Sequence, residues 1–336
     1  MSRRLSLLPL LLLTLLGTML ASLSLGRYPL PPGEVLHFLL HQLGLGELEA
    51  QRQALLHNLI VDIRLPRVLT AVLVGAALSI SGAAYQAVFR NPLVSPGLLG
   101  VLPGAAAGAA LGLVFSDSWW IMQVTAFATG FLAVAIGVGI AGLFGGSLVM
   151  LVLGGIISGA LFTALLSLVK YVADPYNQLP AIVYWLMGSL ATADLPDLAR
   201  VAIPMGLGIL LLASLGRALD ALSMGDDEAA TLGLPIRSVR YGVIALATLI
   251  SALTVSLAGV IGWVGLLVPH IARLITGPGN RLLLPASALL GAIFLLLADG
   301  LARNLAETEI PIGIVTELLG IPAFLLVLHR ARKGWV

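Results

Sequence analysis

Apolar runs of membrane length, broken by short polar turns, cover almost the whole chain. A bilayer-spanning helix needs roughly 20 apolar residues, and the runs supply about ten such helices. They fall near 5–25, 66–88, 95–114, 119–142, 147–172, 201–215, 241–257, 260–275, 282–301 and 312–328. The pattern predicts an all-α polytopic membrane helix bundle, a single transmembrane domain over residues 1–336.

The breaks carry local signals. Pro31-Pro32-Gly33 opens a short interfacial helix over 34–43, inside a loop expected to run to Val61. Arg90-Asn91-Pro92 ends the second span, because proline drives the preceding residue out of helical geometry. Pro269 interrupts the short eighth span, and a mixed stretch over 174–197 holds a partly buried piece near 182–190. The longest polar stretch of the second half, 217–240, reads as one or two short helices. At its centre lies a polar island, Gly225-Asp226-Asp227-Glu228, followed by Ala229-Ala230-Thr231-Leu232-Gly233. Its three carboxylates sit at a helix start, where the helix dipole favours negative charge. A capped, solvated loop is the plainer reading of the same spacing.

Composition sharpens the picture. The chain is 59% hydrophobic and only 10% charged, against about 25% charged residues in soluble domains. Its 38 glycines and 18 prolines are tolerated in membrane helices whose neighbours satisfy the backbone and pack closely. The absence of cysteine excludes disulfide and thiolate chemistry, and the five histidines form no metal motif. Without a Gly-rich GKS or GKT loop the chain has no phosphate-binding P-loop. Arg3 and Arg4 before an apolar run read as an uncleaved first span rather than a signal peptide.

Basic residues set the orientation. Arg3, Arg4, Arg90, Arg217, Arg237, Arg240, Arg273, Arg281, Arg330, Arg332 and Lys333 fall on one side, which is then cytoplasmic and holds both termini. Arg64, Arg67 and Arg303 run against that trend at the outer ends of the second and ninth spans. Asp299 lies four residues before Arg303, on the same helical face, and reads as its local ion-pair partner. Glu317 places a carboxylate inside the last span, a costly position. On the fifth span Gly154, Gly155, Ser158, Gly159, Thr163 and Ser167 make a small, weakly polar face, equally readable as helix packing.

Several motifs occur in a fixed order. Arg64-Leu65-Pro66-Arg67 leads into Val74-Gly75-Ala76-Ala77-Leu78-Ser79, then Arg90-Asn91-Pro92-Leu93 and Leu99-Gly100. Later come Met224-Gly225-Asp226, Leu232-Gly233 and Gly262-Trp263-Val264-Gly265-Leu266-Leu267-Val268-Pro269-His270-Ile271-Ala272-Arg273. Ile310-Pro311-Ile312-Gly313-Ile314-Val315-Thr316 and Gly320-Ile321-Pro322 close the series. In this order, over nearly the whole chain, the motifs resemble the FecCD family, the permease subunits of bacterial type II ABC importers. That family carries iron-siderophores, haem, cobalamin and sometimes molybdate. Two departures stand out. Gly277-Pro278-Gly279-Asn280-Arg281 replaces a turn that is often Gly-x-Asp-His-Arg, and Glu317 stands where the family has a small or apolar residue.

The resemblance implies the type II permease fold in a bacterial inner membrane, and a transport subunit rather than an enzyme. It implies no cofactor on this chain, with ATP and Mg used by a partner. The implied partners are a second copy of the chain, two ATP-binding subunits and one periplasmic substrate-binding protein. Arg64, Arg67 and Arg303 resemble the arginines that dock that protein, since guanidinium forks suit carboxylates. Gly225, Asp226, Asp227, Glu228, Leu232 and Gly233 resemble the helices that couple to the ATPase, with Leu232 and Leu234 as packing knobs. Gly155, Ser158, Gly159, Thr163, Ser167 and Glu317 are the candidates for the translocation pathway. Haem is the cargo expected, with ferric siderophore, cobalamin and molybdate as alternatives. An ion-coupled secondary transporter is the rival class. It needs a charged or unwound midplane site, for which the sequence offers little beyond Glu317.

Overall fold

The computed structural model describes residues 7–116 and 118–332, with side chains to 326. Arg3, Arg4 and Lys333 lie outside the described residues, as do the side chains of Arg330 and Arg332. Every regular element among the described residues is helical. In chain order they are α1 (Leu7–Ser24), α2 (Pro32–Gln42), α3 (Ala50–Leu56), α4 (Leu65–Phe89), α5 (Val101–Phe115), α6 (Trp119–Leu143), α7 (Leu148–Val172) and α8 (Gln178–Leu186). The second half holds α9 (Leu195–Ser214), α10 (Gly216–Met224), α11 (Asp226–Thr231), α12 (Ile236–Ala258), α13 (Val264–Thr276), α14 (Asn280–Asn304) and α15 (Ile312–Arg332).

Among the described residues, seven helical runs are long and apolar enough to cross a membrane, and α5, α13 and the described start of α15 are shorter apolar stretches. The expected spans are thus all present as helices; α5 and α13, of 15 and 13 residues, are shorter than the roughly 20 residues that cross alone. One expectation is corrected. The loop drawn to Val61 is helical from Ala50, passing through a π-helical stretch, His57–Arg64, straight into α4. Pro66 at the start of α4 mimics a helix beginning, because proline is well tolerated in a first turn. Here the wider π-turn carries the helix through instead.

Helix α4 is the shaft of the bundle. Every residue from Val74 to Phe89 is buried, so its small residues are there to let neighbours approach. A methyl group built on Gly75 would overlap the Gly291 carbonyl of α14, and one on Gly82 would overlap the Gly265 carbonyl of α13. Only glycine permits these two backbone contacts. Tyr85 ties the shaft to α12: its hydroxyl lies 2.7 Å from Thr248 Oγ1 and donates to the Ile244 carbonyl at 3.3 Å. That satisfies a fully buried polar group. The shaft ends at Arg90, whose left-handed backbone (φ 49°) closes the helix.

A second feature is a knot of irregular backbone. Gly259–Trp263 separates α12 from α13, and its neighbour Met187–Ser189 follows α8. Ser189 N–H donates to the Ala258 carbonyl at 2.9 Å, Ile312 N–H to Gly188 at 3.2 Å and Gly313 N–H to Met187 at 3.0 Å. Three chain segments thereby satisfy one another where helical bonds are interrupted.

Candidate functional site

Two clusters of arginine and carboxylate lie at opposite ends of α4. At its N-terminal end Arg67 donates from Nε and Nη2 to Asp299 Oδ1, at 2.8 and 2.7 Å, and from Nη1 to Glu309 Oε2 at 3.0 Å. Arg303 Nε sits 3.0 Å from Asp299 Oδ2, an ion pair whose angle falls outside hydrogen-bond geometry. Its Nη2 donates to Ser22 Oγ at 2.9 Å. Asp299 is completely buried, so it requires both arginines to remain charged. Arg64 is buried too, and gives its N–H groups to the carbonyls of Leu23, Ser24 and Tyr28. The cluster therefore binds α1, α4 and α14 together.

Spacing pointed to the Asp299–Arg303 pair, and it is present. It gave no sign of Arg67, which reaches Asp299 from 232 residues away, or of Glu309. Arg64, Arg67 and Arg303 meet at this end and line one open pocket with Arg27 and Glu309. Arg27 is the exposed cation there and donates to the Glu307 carbonyl.

At the other end α10 and α11 form an elbow. Gly225 turns it with φ 142°, a backbone open to glycine alone. Asp226 then receives Arg240 Nη2 at 2.7 Å and Arg90 Nη2 at 2.9 Å. These residues open α12 and close α4, so one carboxylate fastens the elbow to two spans. The Arg240 hydrogen bond is the main reason that the Asp226 carboxyl sits below its ordinary range. Asp220 on α10 accepts the Asn280 N–H at 2.6 Å, capping α14 as well. Gln86 of α4 accepts from Arg273 Nη2 at 3.2 Å, which brings in α13.

The elbow's outer surface is different. Asp227, Glu228 and Gly233 are exposed, as are Met224 at 66% and Leu232 at 65%. Leu234, read from the sequence as a second knob, packs instead against the core. Ala229 is the residue of α11 that faces fully inward.

Along α7 the six small residues split into two faces. Gly154 packs on Gly137, Gly155 on Leu99, and the Ser158 hydroxyl donates to the Ala133 carbonyl at 2.6 Å. Gly155 and Ser158 thus serve helix packing inside the chain. Thr163 and Ser167 are exposed, with Gly159 between the two faces. Their hydroxyls return to the carbonyls of Gly159 and Thr163. Glu317 is exposed on α15, far in sequence from any of these.

The FecCD transport family model matches residues 12–330 of the chain. The molybdate import system permease protein MolB of Haemophilus influenzae is 39% identical over 323 residues, covering 96% of this chain and 95% of that protein. The hemin transport system permease protein HmuU of Yersinia pestis is 41% identical over 282 residues, covering 81% and 84%. Among solved structures, an ABC transporter chain assigned to the metal-chelate type, in an inward-facing conformation, superposes with a TM-score of 0.86. It is 38% identical, and the match covers 97% of this chain and 99% of that one.

Proposed function

The chain belongs to the FecCD transport family as a permease of an ABC importer, and from that premise we propose a specific assembly and cargo. Two copies of the chain stand in the bacterial inner membrane with both termini in the cytoplasm. The elbow faces the cytoplasm, and two ATPase subunits grip it. A periplasmic substrate-binding protein docks at the opposite end, where Arg64, Arg67 and Arg303 gather around an open pocket. Each arginine keeps an internal partner, so docking carboxylates would share guanidinium groups that are already held in place. That arrangement favours register over raw affinity.

The observation that carries this reading is the elbow. Its apolar tips, Met224 and Leu232, project outward, while Asp226 and Asp220 fasten its base to α4, α12 and α14. A groove that closes on the tips moves three spans together. The ATPase site itself, with its Mg, belongs to the partner. The cargo we propose is an iron-bearing chelate, haem in the first instance, as supported by the 41% identity to a hemin permease. Molybdate is the second reading, favoured by a relative aligned over 96% of this chain.

The test is uptake into sealed vesicles that hold this chain with its ATPase, the binding protein being added outside. ATP-dependent accumulation of haem, and micromolar or tighter haem binding by the binding protein, are the expected results. Uptake of molybdate, ferric siderophore or cobalamin instead would replace the cargo. No ATP-dependent uptake of any of them by an assembled complex would overturn the proposed cargoes and partners.

A further inference from the structure

The last helix carries a carboxylate, Glu317, that pairs with no described side chain. On α15 the exposed positions Ile314, Glu317, Leu318, Ile321 and Leu325 recur at helical spacing and form one stripe, while Val315, Thr316 and Gly320 on the other side are buried. The stripe is apolar except for Glu317. None of the ion pairs among the described residues includes this carboxylate. An exposed carboxylate in a membrane helix is unstable against lipid and normally faces water or a partner.

A second feature beside it makes the same demand. A methyl group built on Gly262 would lie 3.7 Å from Glu317 Oε1, so the helix break at Gly259–Trp263 lies next to the carboxylate. Val260, Gly262 and Trp263 in this break are partly exposed. Irregular backbone at membrane depth is tolerated where it is buried in protein or lines a water-filled cavity, and these residues are not buried. Trp263 also holds φ at 67°, a left-handed backbone that costs a bulky residue energy. Its ring is fixed edge-on against Phe324 at 6.0 Å, and Phe324 in turn meets His270 edge-on at 5.4 Å. The break beside the carboxylate is therefore flanked by aromatic rings, and no arginine or lysine among the described side chains pairs with Glu317.

We propose that Glu317 and the Gly262–Trp263 break form a charge-selecting site on the wall of an aqueous passage between two copies of the chain. The site takes cationic or hydrogen-bond-donating groups and opposes bare oxyanions. It rests on the reading that the exposed α15 stripe borders the translocation pathway. Two copies would present two such carboxylates to one passage. Of the cargoes considered above, a compact dianion such as molybdate is the one that the site opposes most.

The absence of cysteine from the chain permits a test that needs neither cargo nor turnover. Single variants Leu318→Cys and Ile321→Cys are prepared in the assembled complex in membranes. Each is treated with a cationic and with an anionic water-soluble methanethiosulfonate reagent. Rates are normalised to those of a free thiol in solution. One charge several ångströms away, in a water-rich setting, should favour the cationic reagent roughly fivefold or more. Adding Glu317→Gln should bring the ratio close to one, while Glu317→Asp, which keeps the charge if the amide variant fails to assemble, should preserve it. Equal rates with Glu317 in place would overturn the charge-selecting site. No labelling by either reagent would overturn the aqueous passage. Failure of vesicle uptake would bear on cargo and partners and leave these ratios untouched.

Discussion

The two ends of α4 use the same chemistry, arginine against carboxylate, to different ends. At the N-terminal end the acid is sealed: Asp299 has no solvent exposure, and the Arg67 and Arg303 side chains are 11% and 10% exposed. At the C-terminal end the acid is open: the Asp226 side chain is 42% exposed, between an exposed Arg90 and a buried Arg240. A sealed pair leaves an uncompensated charge when one partner is lost, whereas an open pair is largely replaced by water. The first cluster therefore holds the fold together. The second fastens the elbow to α4 and α12 at little cost in stability.

The largest expected effect follows from the sealed end. Asp299→Ala removes the carboxylate shared by two buried guanidinium groups, leaving Glu309 to Arg67 and no paired carboxylate to Arg303, and should cost about 3–5 kcal/mol. Thermal unfolding in detergent, with the yield of intact protein, checks this. A variant as stable as the parent would mean that the cluster is wet, and the contrast between the two ends would collapse.

The shaft joining the ends comes next. Gly82→Ala forces a methyl group into the Gly265 carbonyl, and overpacking of this kind costs about 1–3 kcal/mol. Gly139→Ala, where a methyl group meets open space, is the matched control and should leave unfolding unchanged or slightly raised. If both variants behaved alike, the close backbone approach between α4 and α13 would be disproved.

How much of this the sequence announces depends on the range of the interaction. Helix positions follow from apolar runs, because burial of the runs is local in sequence. The elbow shows as a polar island for the same reason, and the Asp299–Arg303 pair shows as a spacing of four. Arg67 with Asp299, and Arg90 with Asp226, join residues far apart in the chain, and no periodicity encodes such pairs. The division of the α7 glycines and hydroxyls into a packing face and an open face is equally hidden. Gly155 and Thr163 look alike until Leu99 is seen against one of them. The run through His57–Arg64 is hidden because Pro66 carries a starting signal that a π-turn overrides.

A smaller effect on stability is expected at the open end. Asp226→Asn should shift unfolding by less than about 1 kcal/mol while lowering the cargo moved per ATP hydrolysed. Because the folded carboxyl is held below its usual range, the clamp's contribution is present at neutral pH. It is lost as acid takes the pH down through that lowered value. If Arg90 and Asp226 act as one unit, Arg90→Gln added to Asp226→Asn should have little further effect on coupling. Additive losses would show that the two residues work separately.

The smallest effect on stability belongs to the elbow tip, and it separates fold from function most cleanly. Leu232 is 65% exposed, and a surface change of this kind normally moves stability by no more than about 0.5 kcal/mol. Leu232→Asp should leave unfolding and membrane insertion as they were. If a partner groove covers the tip, however, the same substitution buries a charge in an apolar contact, and co-purification with the ATPase should fall sharply. Ala229→Asp, one turn earlier and fully buried, should do the reverse, lowering the yield of folded protein before any question of partners arises. A Leu232→Asp variant that keeps its ATPase would move the gripping surface elsewhere on the elbow, with exposed Met224 the next residue to change. Loss of the ATPase from a stably folded permease would establish that the open end is built for contact.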